Sequence, residues 1–339
     1  MRRYLGNRSV RIGLTAAVLA LLAAFVLFLA RQNNYGPRAF AQWTIDGIRG
    51  GSIYALVGLG FVVIHSVTGV INFAQGEFVM LSAMCCASFY ELDLPLPPAL
   101  KLVVAILASI VIVTLVGMVL ERGAIYPARG GSVVTLIIIT IGATIAIRAI
   151  ALIIWGTRAR IVPAFTNLQQ IDIVFRPFGL TLGAQSLWIW GTVAAVFVAL
   201  FFFFERTITG KALRACAVNR RAAELMGISP SRMSLVAFAL AALVGAIGGI
   251  VFGPATRPQY DMGLVFGLKG FVAAIMAGMV SPLGAVLGGL ILGVAENVGA
   301  GVTQLYGFKD LIAFVILILI LLFRPQGLVG GGERGVEQT

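Results

Sequence analysis

Five stretches of this sequence, residues 12–30, 102–120, 182–204, 233–256 and 270–295, contain no Asp, Glu, Lys or Arg. At ~1.5 Å of rise per helical residue, each is long enough to cross a hydrocarbon layer of ~30 Å. A soluble fold could not hide so many full-length apolar segments in one core. Charged residues make up 11% of the chain, against about 25% in ordinary soluble domains. The expected fold is therefore an all-α integral membrane protein, a polytopic bundle of about ten transmembrane helices. The 41 glycines fit that reading, because helices in lipid associate through close backbone approach at small residues.

Ten spans account for the hydrophobicity: about 12–30, 43–65, 72–90, 99–120, 133–155, 183–204, 233–253, 263–281, 284–300 and 307–323. Residues 1–330 form a single transmembrane domain and 331–339 a flexible cytoplasmic tail. The net charge of +12 does not point to nucleic acid. Its basic residues are scattered among loops, and they are densest in 205–232, as expected of segments kept on the cytoplasmic side. Ala39-Phe40-Ala41 mimics a signal-peptidase site, but it lies well past the 12–30 run, so the first helix is read as retained. Cys85, Cys86 and Cys216 offer neither a disulfide framework nor a metal cage. No metal, cofactor or catalytic constellation is expected, and there is no G-x-x-x-x-G-K-[ST] phosphate loop.

The imperfect spans cluster. Asp46, Arg49 and Gly50-Gly51 interrupt one of them, and Asn72-Phe-Ala-Gln75-Gly76-Glu77 opens the next. Asn72 and Gln75 have the spacing of a capping box. Lys269, a Ser281-Pro282 break and Glu296 interrupt 263–300. Irregular backbone at membrane depth survives only where protein or a water-filled cavity covers it, and broken segments at matching places in two halves point to a transport path. Regions 51–81 and 267–297 are loosely alike in that respect. Intramembrane ionisable groups are expensive, so Asn72, Gln75, Glu77, His65, Lys269 and Glu296 are the candidates for a substrate path. Each also has a plainer role: capping for the first three, interfacial hydrogen bonding for His65, pairing of Lys269 with Glu296. Asp46 and Arg49, three residues apart, are placed to pair locally.

One hydrophilic block interrupts the apolar pattern: ERTITGKALRACAVNRRAAELMGISPSRM, residues 205–233, with six basic residues. Asn219 is placed to cap a short helix through Met226, with Gly227 just past its end. Ser229-Pro230 restarts a helix. The block thus reads as a short helix held between membrane helices, presenting basic residues beside small and apolar ones. Such a surface suits a partner's groove; lying on anionic headgroups is the plainer reading.

The segment GKALRACAVNRRAAELMGI (210–228) resembles the coupling loop of ABC-importer permeases for branched-chain amino acids. The resemblance extends to residues 51–83 (GSIYALVGLGFVVIHSVTGVINFAQGEFVMLSA), 121–130 (ERGAIYPARG), 268–297 (LKGFVAAIMAGMVSPLGAVLGGLILGVAEN) and 308–328 (FKDLIAFVILILILLFRPQGL). The chain differs from many members at Gln75, where they have His, and at His65, where they have an aromatic residue. The resemblance implies a multi-pass permease subunit of the bacterial inner membrane that performs no chemistry itself. A second permease subunit would complete the path, two cytoplasmic ATPase subunits would hydrolyse ATP, and an extracytoplasmic binding protein would deliver the solute. Coupling would run through Gly210, Lys211, Ala212, Arg214, Ala215, Arg220, Glu224, Leu225 and Gly227. The alternative is an autonomous secondary transporter or channel for small amides or urea-like solutes, which would need no ATPase.

Overall fold

The computed structural model describes residues 31–166, 179–304 and 306–323. The expected first span, 12–30, and the tail, 331–339, lie outside the described residues. Helix α1 is Pro37–Thr68, α2 Gln75–Glu91, α3 Pro98–Leu120, α4 Val133–Trp155 and α5 Ala184–Arg206. Two short helices follow, α6 (Ile208–Val218) and α7 (Arg220–Leu225). The bundle resumes with α8 (Pro230–Thr256), α9 (Met262–Met276), α10 (Pro282–Thr303) and α11 (Lys309–Phe323). Local chemistry sets many of the boundaries. Pro37, Pro98, Pro230 and Pro282 open their helices in the first turn, where a missing N–H costs nothing. Ser132, Ser229 and Ser281 accept a backbone N–H from the first turn of α4, α8 and α10.

Among the described residues, six helices have the length and apolar composition to cross a membrane: α1, α3 with the π-helical turn Glu121–Ile125 that extends it, α4, α5, α8 and α10. The spans expected at 72–90 and 263–281 are shorter than drawn. Helices α2 and α9 run for 17 and 15 residues, about 22–26 Å, because α2 starts from irregular backbone inside the bundle and α9 ends before a turn in which Gly278 and Met279 take positive φ. Helix α11 is described for 15 residues.

Burial sorts the helices into two shells. In the apolar windows of α1, α8 and α10 the buried share is 83%, 67% and 50%, but in α3, α4 and α5 it is only 17–22%. The outer helices present Val111, Leu115, Ile138, Ile145, Ile153 and Phe201 outward. An exposed apolar belt of this kind would drive aggregation in water and is the natural surface in lipid.

Glycines make the inner shell possible. Helices α1 and α10 pack antiparallel: a Cβ on Gly47 would lie 2.6 Å from Val294 Cα, and one on Gly51 2.9 Å from Leu290 Cα. From the other side, a Cβ on Gly289 would lie 2.6 Å from Ala55 Cα. Dispersion between backbones this close holds the seam, since lipid supplies no hydrophobic drive. The loosely similar regions also meet as two helix–break–helix units. Helix α1 lies on α10, and α2 lies on α9, so the first helix of each unit packs on the second helix of the other.

Candidate functional site

Residues 69–74 turn back along α1 before α2 begins. Gly69, at φ 70°, stops α1 and donates its N–H to the His65 carbonyl. Gln75 then packs against Gly60, eight residues short of the end of α1, so α2 opens about 12 Å inside the bundle. The capping box expected from Asn72 and Gln75 does not form. Asn72 sits two residues too early: Ala74 occupies the N-cap position, and the Asn72 side-chain oxygen accepts from Ala74 N–H at 3.2 Å, closing a local turn. The Gln75 amide reaches away instead and donates to the Ala241 carbonyl of α8 at 2.9 Å.

Helix α4 covers this re-entrant backbone with a polar stripe one helical turn apart. Thr140 Oγ1 accepts from Phe73 N–H at 3.3 Å and lies 3.2 Å from the Ile71 carbonyl. Thr144 is buried below it. Arg148 Nη2 meets Glu77 Oε1 at 2.7 Å. Glu77 is fully buried in the first turn of α2, where the helix dipole favours a negative charge. Glu77 Oε2 and Arg148 Nε stay buried with no partner. Arg148 was visible in the sequence only as a charge inside a span; its side chain and Thr140 complete the site.

The second intramembrane cluster is centred on Lys269 of α9. Its Nζ lies 2.5 Å from Glu296 Oε1, 2.7 Å from Asp310 Oδ1 and 3.1 Å from Tyr54 Oη. The expected Lys269–Glu296 pair is therefore present, with Asp310 and Tyr54 as further partners. Four helices meet there: α1, α9, α10 and α11. Lys269→Met should destabilise the protein by about 3–5 kcal/mol, because it strands Glu296 as a buried unpaired charge. Lys269→Met with Glu296→Leu should recover much of that loss. Thermal melting in detergent checks both, and a double variant no more stable than the single one would rule out this account. No hydrogen bond or ion pair joins this cluster to Glu77 among the described residues. His65 stands apart from both, half-buried in the last turn of α1 with Nδ1 unpartnered. The pairing of Asp46 with Arg49 is present at 3.3 Å on a half-exposed surface, where such pairs contribute little.

The hydrophilic block folds into two helices rather than one. Thr207 caps α6 by accepting from Gly210 N–H at 2.9 Å, and Asn219 caps α7 by accepting from Ala222 N–H at 3.0 Å. Asn219 has extended backbone, φ −153°, so it ends α6 as it starts α7. Gly227, at φ 82°, takes the left-handed position after α7. Leu213, Cys216 and Ala223 are buried against Val63, Val67 and Ala237, which anchors the pair to α1 and α8. Burial raises the Cys216 thiol, with Arg220 partly offsetting that.

The opposite face is open. Lys211, Arg214, Arg220 and Glu224 are exposed, Ala212 and Ala215 are half-buried, and Gly210 is buried against the end of α5. Arg214 pairs with Glu205 at the surface. Leu225 and Met226 are 88% and 82% exposed, and Ile208 and Val218 also project outward. Ile208 and Val218 join the candidate surface; their apolar character beside a basic run was the available signal. Nearby, buried Glu121 pairs with Arg129 and accepts from Ser234 Oγ at 2.8 Å, tying the turn after α3 to the start of α8. An open cleft of about 680 Å³ separates that turn from α7, lined by Tyr126, Arg129, Arg220, Glu224 and Ser231.

Residues 43–321 match the family model described as the permease component of the branched-chain amino acid transport system. The chain is 31% identical over 307 residues to the high-affinity branched-chain amino acid transport system permease protein BraD of Pseudomonas aeruginosa, covering 87% of this chain and 97% of that one. It is also 31% identical over 301 residues to the corresponding protein LivH of Escherichia coli K12, covering 87% and 96%. A solved complex, PsaBC from Streptococcus pneumoniae with Fab, aligns at a TM-score of 0.47 and 13% identity over 89% of this chain and 97% of that one, a likeness too remote to build on.

Proposed function

Since the chain belongs to the branched-chain amino-acid transport permease family, we propose that it is the membrane-spanning subunit of an ATP-driven importer of branched-chain or related hydrophobic amino acids. The observation that carries the reading is the exposed apolar tip of α7, Leu225 and Met226, on a capped and anchored helix. Two large apolar side chains held rigidly beyond the bundle suit a partner's pocket, and rigidity lets a push on them reach α1 and α8. The partners of this proposal are two cytoplasmic ATPase subunits, a second permease subunit and an extracytoplasmic binding protein, in the bacterial inner membrane. Substrate class rests on the names of BraD and LivH.

Movement would be alternating access. Closure of the ATPase pair displaces α6 and α7, and the glycine-packed inner helices shift as rigid bodies around the re-entrant opening of α2. The competing reading, an autonomous carrier or channel, makes α7 a passive surface loop. Proteoliposomes holding the reconstituted assembly and a loaded binding protein decide between them. L-leucine should accumulate only with ATP inside the compartment that the ATPases face, and excess isoleucine or valine should compete. Accumulation by the permease alone, without nucleotide, would overturn the proposal.

A further inference from the structure

We propose that Glu77 and Arg148 form the intramembrane recognition point for the two charged ends of a zwitterionic solute, Arg148 taking the carboxylate and Glu77 the ammonium group. The inference rests on the transport reading and sharpens it, since an α-amino acid is the solute class with both groups on one carbon. The apolar side chain of such a solute needs no special partner in this bundle. Its head group does, because two charges cannot cross hydrocarbon without protein groups to replace water.

Glu121 and Glu296 each also keep one buried carboxylate oxygen without a partner, but the Glu77–Arg148 pair has an idle atom on both its members, the cation as well as the anion. Glu77 Oε1 and Arg148 Nη2 meet at 2.7 Å, yet Glu77 Oε2 and Arg148 Nε are both buried without partners. Buried polar atoms are nearly always satisfied, and leaving two idle on the same ion pair is costly. An ammonium group supplies the donor that Oε2 lacks, and a carboxylate supplies the acceptor that Nε lacks. The fork of the guanidinium can also hold a carboxylate in two bonds. Lys269 offers no such opening, because its ammonium already faces Glu296, Asp310 and Tyr54.

The surroundings allow entry. Glu77 Oε2 lies against Gly263 in the first turn of α9, where any Cβ would collide with it. On that side the oxygen is covered by the backbone of α9 alone, and a shift of α9 from α2 would open it. Asp261, exposed at the start of α9, adds negative charge within electrostatic reach of Glu77 and favours an incoming ammonium. Arg148 is 23% exposed on α4, an outer helix joined to the re-entrant segment through Thr140 and Arg148 itself. The groups that would receive the head thus sit between two helices able to part.

Uptake of L-leucine by the full reconstituted assembly tests the proposal. Glu77→Gln keeps the shape and an oxygen acceptor for Arg148 but removes the charge. Arg148→Lys keeps the charge but loses the planar fork that holds a carboxylate in two bonds while Glu77 stays paired. Each should lower the initial rate at least tenfold, with co-purification of the ATPase subunits retained. The exchange Glu77→Arg with Arg148→Glu should recover thermal stability toward wild type but not uptake, because the ends of the solute would meet reversed charges. Uptake within twofold of wild type in Arg148→Lys, or restored by the exchange, would show the pair to be a strut and overturn the proposal. Failure of the wild-type assembly to take up leucine with ATP would instead remove the transport reading beneath it.

Discussion

Gly51→Leu, or Gly289→Leu, should leave little folded protein in the membrane, while Gly142→Leu should be tolerated. Gly51 and Gly289 face backbone rather than flexible side chains across the α1–α10 seam. A leucine there cannot be absorbed by a rotamer change, so the two helices must separate along their length. Overpacking of a dense interior typically costs about 1–3 kcal/mol, and the seam lies at the upper end because backbone cannot yield. Separation also loosens the Lys269 cluster, which spans α1, α9 and α10. Gly142, on the outer face of α4, has nothing within 4 Å of the position a Cβ would take. Yield of monodisperse protein in detergent and its melting temperature provide the measurement. Wild-type melting of Gly51→Leu would mean that the inner shell is not held by backbone proximity.

A second large effect is expected at the other end of the molecule. Leu225→Glu with Met226→Glu should abolish ATP-driven uptake and capture of the ATPase subunits while leaving the permease folded. Both side chains are almost fully exposed, so their replacement removes no internal packing. If they fill a pocket on an ATPase, they hold the position of interface hot spots, where truncation costs about 2–4 kcal/mol each. Introducing charge into such a pocket adds a desolvation penalty. The contrasting variant is Leu213→Ala, which cuts the buried anchor of α6. It should lower stability by about 2–5 kcal/mol as a core deletion and weaken coupling by letting α6 tilt. Undiminished co-purification of the ATPases with the Leu225/Met226 double variant would remove the docking role from α7.

Much of this arrangement could be read along the chain, and what could be read was local. Asn219, Ser229 and Pro230 act within three residues of where they stand, so the caps of α7 and α8 were visible from spacing alone. The ion pair between Lys269 and Glu296 was legible because both interrupt neighbouring apolar runs. The Asn72 capping box failed by a shift of two residues, which spacing does not resolve when both Asn72 and Ala74 can precede a helix. The division of 210–228 into α6 and α7 hinges on the extended backbone of Asn219, and a residue that can begin one helix gives no sign that it ends another. The contacts that complete the candidate site are long-range. Arg148 meets Glu77, and Thr140 meets Ile71 and Phe73, across about 70 residues. Only the packing of α4 over residues 69–74 brings them together.

The antiparallel seam also constrains how the protein can be made. Gly47 meets Val294, and 294 − 47 leaves 247 residues still to be translated after the first glycine emerges. At ~5–20 residues per second, a ribosome needs about 12–50 s to deliver the partner. For that interval α1 waits in the bilayer with its glycine face and Tyr54 uncovered, a natural target for membrane chaperones and proteases. Nascent chains released before Gly289 should therefore be degraded faster than those released after Thr303, which a pulse-chase series of truncations would reveal.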